Sequence, residues 1–430
     1  MIYKNTESPR RTKNLKYLRI SNRAEIIRSL SILGPISRIE LARQLGLTKM
    51  AISSIVSEMI EEGLVLEQGA HAAYDKSLFV LPANASEYSS RSLPEEPASI
   101  PTCPPSCPPS GSAGRRPSIL TIHAEQINAL GLYLSRDAIE GVQCDVTGKI
   151  IRTWSHPLEE FTNSDNYLNQ MEKILDAMLL DTSGCHIAGI GISSIGPLDM
   201  STGRLLSPTN FHGIHNLSLT DFVQTKCQFP VILDNDMNAA VQAEQLYGAA
   251  KNYRHVVYLG IANGIGAGVI SYGRIFQGTS GFGGELGHMS INLDGPVCLC
   301  GNRGCLELYA SIPVLLRQSG FSSTREMVNH AVNDPSSASS WQPRMMQALT
   351  TALVNIANIF DPEIILLGHQ SISLAPLLLP ELENEVNMHI IQREIRHIPI
   401  RIADFGEQTP LVGAAALVFQ AVFRGEIPVC

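Results

Sequence analysis

The densest chemistry in the chain lies in Gly281 to Glu307, GFGGELGHMSINLDGPVCLCGNRGCLE. Cys298, Cys300 and Cys305 fall within eight residues, and His288 precedes the first by ten. Zn²⁺ favours four tetrahedral sulfur or nitrogen ligands, and this group supplies that number. Gly295, Gly301 and Gly304 permit the tight turns that aim thiols at one point. Three buried cysteines beside an unrelated histidine are the alternative, but such density in a short Gly-rich loop is rarely packing. A second group, Asp234-Asn235-Asp236, sets two carboxylates and an amide at a strand end just before a helix. Read alone, an Asp before NAAVQAE is a good helix N-cap.

These groups sit in a chain of 430 residues, long enough for two or three domains. Apolar residues make up 44% and charged residues 17%, the balance of a globular protein with a sizeable core. No run approaches the roughly 18 apolar residues of a membrane span, and the first twenty residues lack the apolar centre of a signal peptide. Nine cysteines, three in one cluster, fit a reducing compartment. The expected location is the cytoplasm, without a membrane partner.

The net charge of −8 is unevenly spread. From Arg10 to Lys49 ten Lys or Arg face only Glu25 and Glu40, a segment charge of +8, so the rest carries about −16. A basic end on an acidic body suits contact with a phosphate backbone; a solvated basic face has the same composition. In this segment Asn22 begins a helical pattern with Ile26, Ile27, Leu30 and Leu33 on one side, stopped at Gly34-Pro35. Ser37 and Glu40 form a capping box for a helix over Ser37 to Leu45, burying Ile39, Leu41 and Leu45. After the Gly46 turn, Thr48 caps a third helix with Ile52, Ile55, Val56, Met59 and Ile60 on its apolar face. This is the plan of a helix-turn-helix. Thr48, Lys49, Met50, Ser53, Ser54 and Ser57, with Arg38 nearby, are the candidate DNA contacts, because small polar and basic side chains can approach bases and phosphates closely.

Leu64 to Glu67 reads as a strand. Residues 70–113 follow as an insertion whose later part, SLPEEPASIPTCPPSCPPSGSAG, is too rich in Pro and Ser to bury a core. Ser77 to Leu81 is a further strand candidate, and Cys103 and Cys107 read as loose thiols. From Ile119 the texture is α/β. Strands are expected over 128–134, 141–146, 149–153, 186–193, 230–233, 255–261, 266–272 and 364–367, and helices over 167–180, 238–247, 343–360 and 412–423.

GELGH followed by C-x-C-G-x-x-G-C-x-E resembles the signature of the ROK family of repressors, open reading frames and sugar kinases. The resemblance covers Ile119 to the C-terminus, and Asn22 to Val65 resembles the winged helix of ROK repressors. It implies an α/β fold of two actin-like lobes around a cleft, with an N-terminal winged helix-turn-helix over residues 1–69. The GRRP motif that leads into the second wing strand occurs here at Gly114-Arg115-Arg116-Pro117, some forty residues late, placing that strand near 114–122. Residues 119–430 then form the sugar-sensing domain.

The resemblance also implies roles. His288, Cys298, Cys300 and Cys305 would hold a structural zinc. Asn210, Asn235, Asp236, Glu285, His288 and Glu307 would contact a sugar, and the Asp236 position is the catalytic base in the kinases. Two of the three nucleotide elements of those kinases are altered here. The D-x-G-G-T loop reads Tyr133-Leu134-Ser135-Arg136-Asp137, and the L-G-G-G turn reads Leu367-Gly368-His369-Gln370. Only the Gly-rich turn Asn263 to Gly268 survives. Phosphoryl transfer, which depends on positioning those phosphates, is therefore not expected, and no residue is assigned a catalytic role. The expected protein is a sugar-responsive DNA-binding repressor and homodimer acting on operator DNA. The helix over 343–360 is a candidate dimer interface. A ROK sugar kinase with an accessory DNA-binding domain is the other reading.

Overall fold

The structure is a computed structural model and describes residues 15–68, 118–158, 163–208, 211 and 213–429. The insertion over 70–113, the GRRP motif and Asn210 lie outside the described residues.

Gly34, at φ +80°, and Pro35 end the first helix, α1 (Leu15–Leu33), which begins seven residues before the expected start. Strand β1 (Ile36–Ser37) leads into α2 (Arg38–Leu45), and the capping box forms as expected. Ser37 Oγ accepts from the Glu40 amide at 3.2 Å, while the Glu40 carboxylate accepts from the Ser37 amide at 3.2 Å. Ile39 is 57% exposed rather than buried. It lies about 200° around the helix from Leu41, whose face is buried with Ala42. Gly46 caps α2 at φ +64°, and Thr48 caps α3 (Lys49–Glu61) through a bond from the Ala51 amide. Ile52, Ile55, Val56 and Met59 are buried against Ile26, Ile27, Leu30 and Leu41. The chain then forms β2 (Val65–Gln68) and, beyond the insertion, β3 (Ile119–Ile122), which lies between β1 and β2 in an antiparallel sheet.

Two larger sheets follow. In the first lobe β4 (Asn128–Leu134), β5 (Ala138–Asp145) and β6 (Ile150–Pro157) form a meander. Helix α4 (Ser164–Asp181) returns the chain to β7 (Ile187–Ser194), parallel to β4. A small antiparallel sheet of β8 (Leu198–Asp199), β9 (Arg204–Leu205) and β10 (Leu217–Ser218) and helix α5 (Leu219–Gln224) lead to β11 (Val231–Asn235). The sheet order is β11-β7-β4-β5-β6. Helix α6 (Asp236–Leu246) crosses to the second lobe.

That lobe has β12 (Val256–Ile261), β13 (Ile265–Ser271) and β14 (Arg274–Ile275). Four helices follow: α7 (Glu307–Ala310), α8 (Ile312–Ser319), α9 (Thr324–Asn333) and α10 (Gln342–Phe360). Strand β15 (Ile364–Gly368), α11 (Ala375–His389), β16 (Ile400–Ile402) and α12 (Thr409–Phe423) complete the chain. The sheet order is β14-β13-β12-β15-β16. Met345, Leu349, Leu353 and Ile356 of α10 belong to this lobe's core, so one face of that helix serves the fold, while Arg344, Gln347, Thr351 and Ile359 stay exposed.

Helix α12 returns to the first lobe and packs on its sheet and on α6. Small residues let the two helices meet: a Cβ on Gly413 would lie 2.5 Å from the Ala239 carbonyl carbon. The N-terminal unit rests on the far end of α12. One apolar core runs from Ile26, Leu41 and Ile52 through Leu120 to Val142, Phe419 and Phe423. Arg23 pairs with Glu62 and also donates to the Val429 carbonyl at 3.1 Å.

Candidate functional site

Parallel strands present ligand groups beyond their carboxyl ends, and β11 does so here. It ends at Asn235, which with Asp236 at the start of α6 lines a cleft of about 760 Å³ between the lobes, Asp234 standing just behind them. Asn235, not Asp236, is the N-cap of α6. Its Oδ1 accepts from the amides of Met237 at 2.9 Å and Asn238 at 3.4 Å. Asp234 is held by the Asn235 amide, the Asn238 side chain and Gln277 Nε2. Gln277 is a supporting residue that no local sequence signal marks. Asp236 is the first residue of α6 and is 8% exposed. Burial pushes its carboxyl up to about 7, with the charge of Glu285 adding to the shift and that of Arg136 opposing it.

The opposite wall comes from the second lobe. A turn of 3₁₀ helix at Leu286–His288 follows a glycine run and positions Glu285 and His288. Gly287 must be glycine, since a Cβ there would overlap the Ile265 carbonyl. Glu307 opens α7, and its carboxylate abuts Gly264 of the β12–β13 turn. Asn235, Asp236, Glu285, His288 and Glu307 all line the one cleft. Desolvation raises the Glu285 carboxyl; His288 opposes the shift and Glu307 adds to it.

Behind this wall the four ligand atoms of His288, Cys298, Cys300 and Cys305 lie within 4.8 Å of one another. Cys298 Sγ is 3.7 Å from His288 Nδ1, and Cys300 Sγ is 3.7 Å from Cys305 Sγ. Sulfurs bound at about 2.3 Å on the corners of a tetrahedron stand about 3.8 Å apart, close to the two 3.7 Å separations here, so the cluster could hold a metal ion. The Cys298 amide donates to the Asn302 carbonyl at 2.8 Å, closing a tight knuckle. Gly301 and Gly304 turn through it at φ +92° and +67°. Burial, together with the neighbouring thiols, pushes Cys305 up to about 12. A bound dication would reverse that balance by holding thiolates.

At the N-terminal unit Thr48, Lys49, Met50, Ser53, Ser54 and Ser57 all lie on the exposed face of α3, with Met50 84% exposed. Arg38 differs from the expectation. Its Nε and Nη2 donate to Glu67 at 2.9 and 2.7 Å, and Nη1 donates to the Ser53 carbonyl at 3.2 Å. A guanidinium fits a carboxylate bidentately, so Arg38 ties α2 to β2 instead of reaching outward.

Residues 134–421 match the sequence model of the ROK family. The chain belongs to that family. A xylose repressor from Bacillus spizizenii is 29% identical over 394 residues, covering 90% of this chain and 91% of that one. A glucokinase from Thermotoga maritima is 28% identical over 271 residues, covering 59% of this chain and 86% of that one. A solved ROK family transcriptional regulator, a homologue of the Escherichia coli MLC protein, superposes with a TM-score of 0.74 over 95% of this chain and 97% of its own, at 22% identity. That likeness establishes the fold.

Of the residues expected to contact a sugar, the described ones, Asn235, Asp236, Glu285, His288 and Glu307, share this one cleft. Tyr133, Ser135 and Arg136 stand where the ROK resemblance expects the D-x-G-G-T loop, and His369 and Gln370 where it expects glycines. All five side chains line the cleft.

Proposed function

We propose that this chain is a sugar-responsive transcriptional regulator, acting as a repressor, whose ROK domain binds a sugar without phosphorylating it. One observation carries the reading. A helix-turn-helix unit with an exposed polar face shares a continuous core with a cleft that keeps sugar-side carboxylates but not the phosphate loop. Residues 1–69, with a second wing strand near 114–122, serve as the winged helix, and residues 119–430 as the sensor. Lys49, Met50, Ser53, Ser54 and Ser57 meet operator DNA, with Thr48 capping the recognition helix. Asn235, Asp236, Glu285, His288 and Glu307, with Asn210, hold the sugar. The His288–Cys298–Cys300–Cys305 cluster holds a structural zinc that fixes the wall carrying Glu285 and Glu307.

Buried polar partners reject an analogue lacking the matching hydroxyl, because they are then left unpaired. The sugar shifts the lobes only through its differential affinity for their two arrangements. Helix α12 passes that shift to the DNA unit, and a homodimer reads two half-sites whose spacing changes. The name of the Bacillus relative makes xylose the first sugar to test.

The Asp236 carboxyl, raised to about 7, favours a second reading as a sugar kinase with an accessory DNA unit, because a general base works best near the operating pH. Incubation with ATP and a panel of aldoses separates the two. The regulator reading requires inertness there, together with recovery of specific DNA fragments that a sugar releases. ATP consumption coupled to an aldose would overturn it.

A further inference from the structure

Two of the residues that depart from the nucleotide pattern, one from each lobe, touch one another. Tyr133 comes from β4 of the first lobe and His369 from the end of β15 in the second. The Tyr133 hydroxyl lies 3.1 Å from His369 Nε2, and the rings meet edge to face with centroids 6.4 Å apart. His369 keeps the left-handed backbone of a glycine turn, φ +63°, while filling the turn with an imidazole. That conformation is uncommon for a residue with a side chain, so the tertiary contact must hold it. Burial lowers the imidazole to about 4, leaving the ring neutral at physiological pH and Nε2 able to accept the tyrosine proton. A second bond spans the lobes beside it, Asn263 Nδ2 donating to Asp137 Oδ2 at 2.8 Å.

The charge of the cleft points the same way. Arg136 is the one lining Lys or Arg among the described residues, against six carboxyl groups, Asp236, Glu285 and Glu307 among them. A phosphate dianion entering the cleft would meet an excess of acidic groups and, at this end, a space occupied by Tyr133 and His369, whereas a neutral sugar finds carboxyl acceptors that suit its hydroxyl donors.

We propose that the Tyr133–His369 clasp closes the phosphate end of the cleft in place of a nucleotide, so that the site takes an uncharged monosaccharide and excludes sugar phosphates and nucleotides. The inference rests on the sugar-binding reading above. A ligand that needs the closed lobes binds in proportion to the closed fraction, so the clasp supplies closure that ATP would supply in a kinase.

Calorimetry on the full chain tests it, with free aldoses, their phosphate esters and a non-hydrolysable ATP analogue with Mg²⁺. Two variants accompany the wild type: Tyr133→Phe, which removes one hydroxyl, and His369→Gly, which restores glycine at a positive φ. Both keep the fold within reach, and hydrogen exchange at residues 135–138 and 369–374 reports lobe opening without a ligand. The expected result is wild-type binding of a free aldose alone, about 3- to 10-fold weaker in either variant as the closed fraction falls, with faster exchange. Wild-type binding of a sugar phosphate or of the ATP analogue overturns the inference and leaves the regulator reading standing. Unchanged aldose affinity and exchange in both variants overturn the clasp. Binding of no sugar in any form defeats both readings.

Discussion

Asp236 is the residue at which environment matters most. Its carboxyl is buried at a helix start and raised to about 7, while the unfolded chain has it near 4. A raised folded value contributes stability that is present below pH ~4 and lost as pH rises through ~7. Thermal melts should therefore show wild type falling behind Asp236→Asn as pH rises across that window. A constant difference between the two would contradict the burial account. The same variant should weaken aldose binding by more than tenfold, since a buried acceptor for a hydroxyl is exchanged for a mixed amide. At the metal cluster, Cys305→Ser should lower bound zinc from about one per chain and cost several degrees of melting temperature, read by metal analysis and calorimetry. Full zinc content in that variant would remove Cys305 from the ligand set. The cluster was legible from spacing because its donors lie close in sequence. Arg38 was not legible: its partner Glu67 stands 29 residues away, and only the β2 register brings them together. The capping role of Asn235 was also misplaced by one residue, because Asn and Asp are near-equal caps and local sequence cannot choose between them.

At the scale of elements, α3 and α12 carry separable predictions. Lys49→Ala should weaken binding to any duplex and lower the salt slope by about 1, because it removes one phosphate contact. Arg38→Ala should leave that slope nearly unchanged and instead lower stability, since it removes the bidentate pair with Glu67 and the bond to the Ser53 carbonyl. Equal salt slopes for Lys49→Ala and wild type would move the DNA face elsewhere. In α12, Gly413→Val forces a branched side chain against the α6 backbone and should cost roughly 1–3 kcal/mol or more in denaturant melts. The major strands and helices around the cleft follow the sequence pattern closely; β4, for example, spans Asn128–Leu134 as expected. Helices α8, α9 and α11 were missed. Helices α8 and α9 are amphipathic but short, at 8 and 10 residues, and α11 carries Pro380 in its interior.

At the scale of the whole molecule, the exposed face of α3 and the inter-lobe cleft belong to units that share one apolar core. The cleft opens at the carboxyl ends of both sheets, α6 and α12 cross where the lobes meet, and the α12 end shares its core with α1 to α3. Alternating strands and helices made the layered α/β texture readable in the sequence, whereas the two lobes followed only from the ROK resemblance. The contact between Tyr133 and His369 was not, because 236 residues separate them and only closure of the lobes brings them together. The central claim is that sugar occupancy of this cleft is read out as DNA affinity. Fluorescence anisotropy of a duplex selected by the protein, titrated with and without saturating aldose at fixed salt, measures that coupling directly. The account predicts tight binding of the free protein and a loss of at least tenfold when the sugar is present, with no ATP required. Equal DNA affinity with and without every bound sugar, or no DNA binding at modest salt, would contradict it.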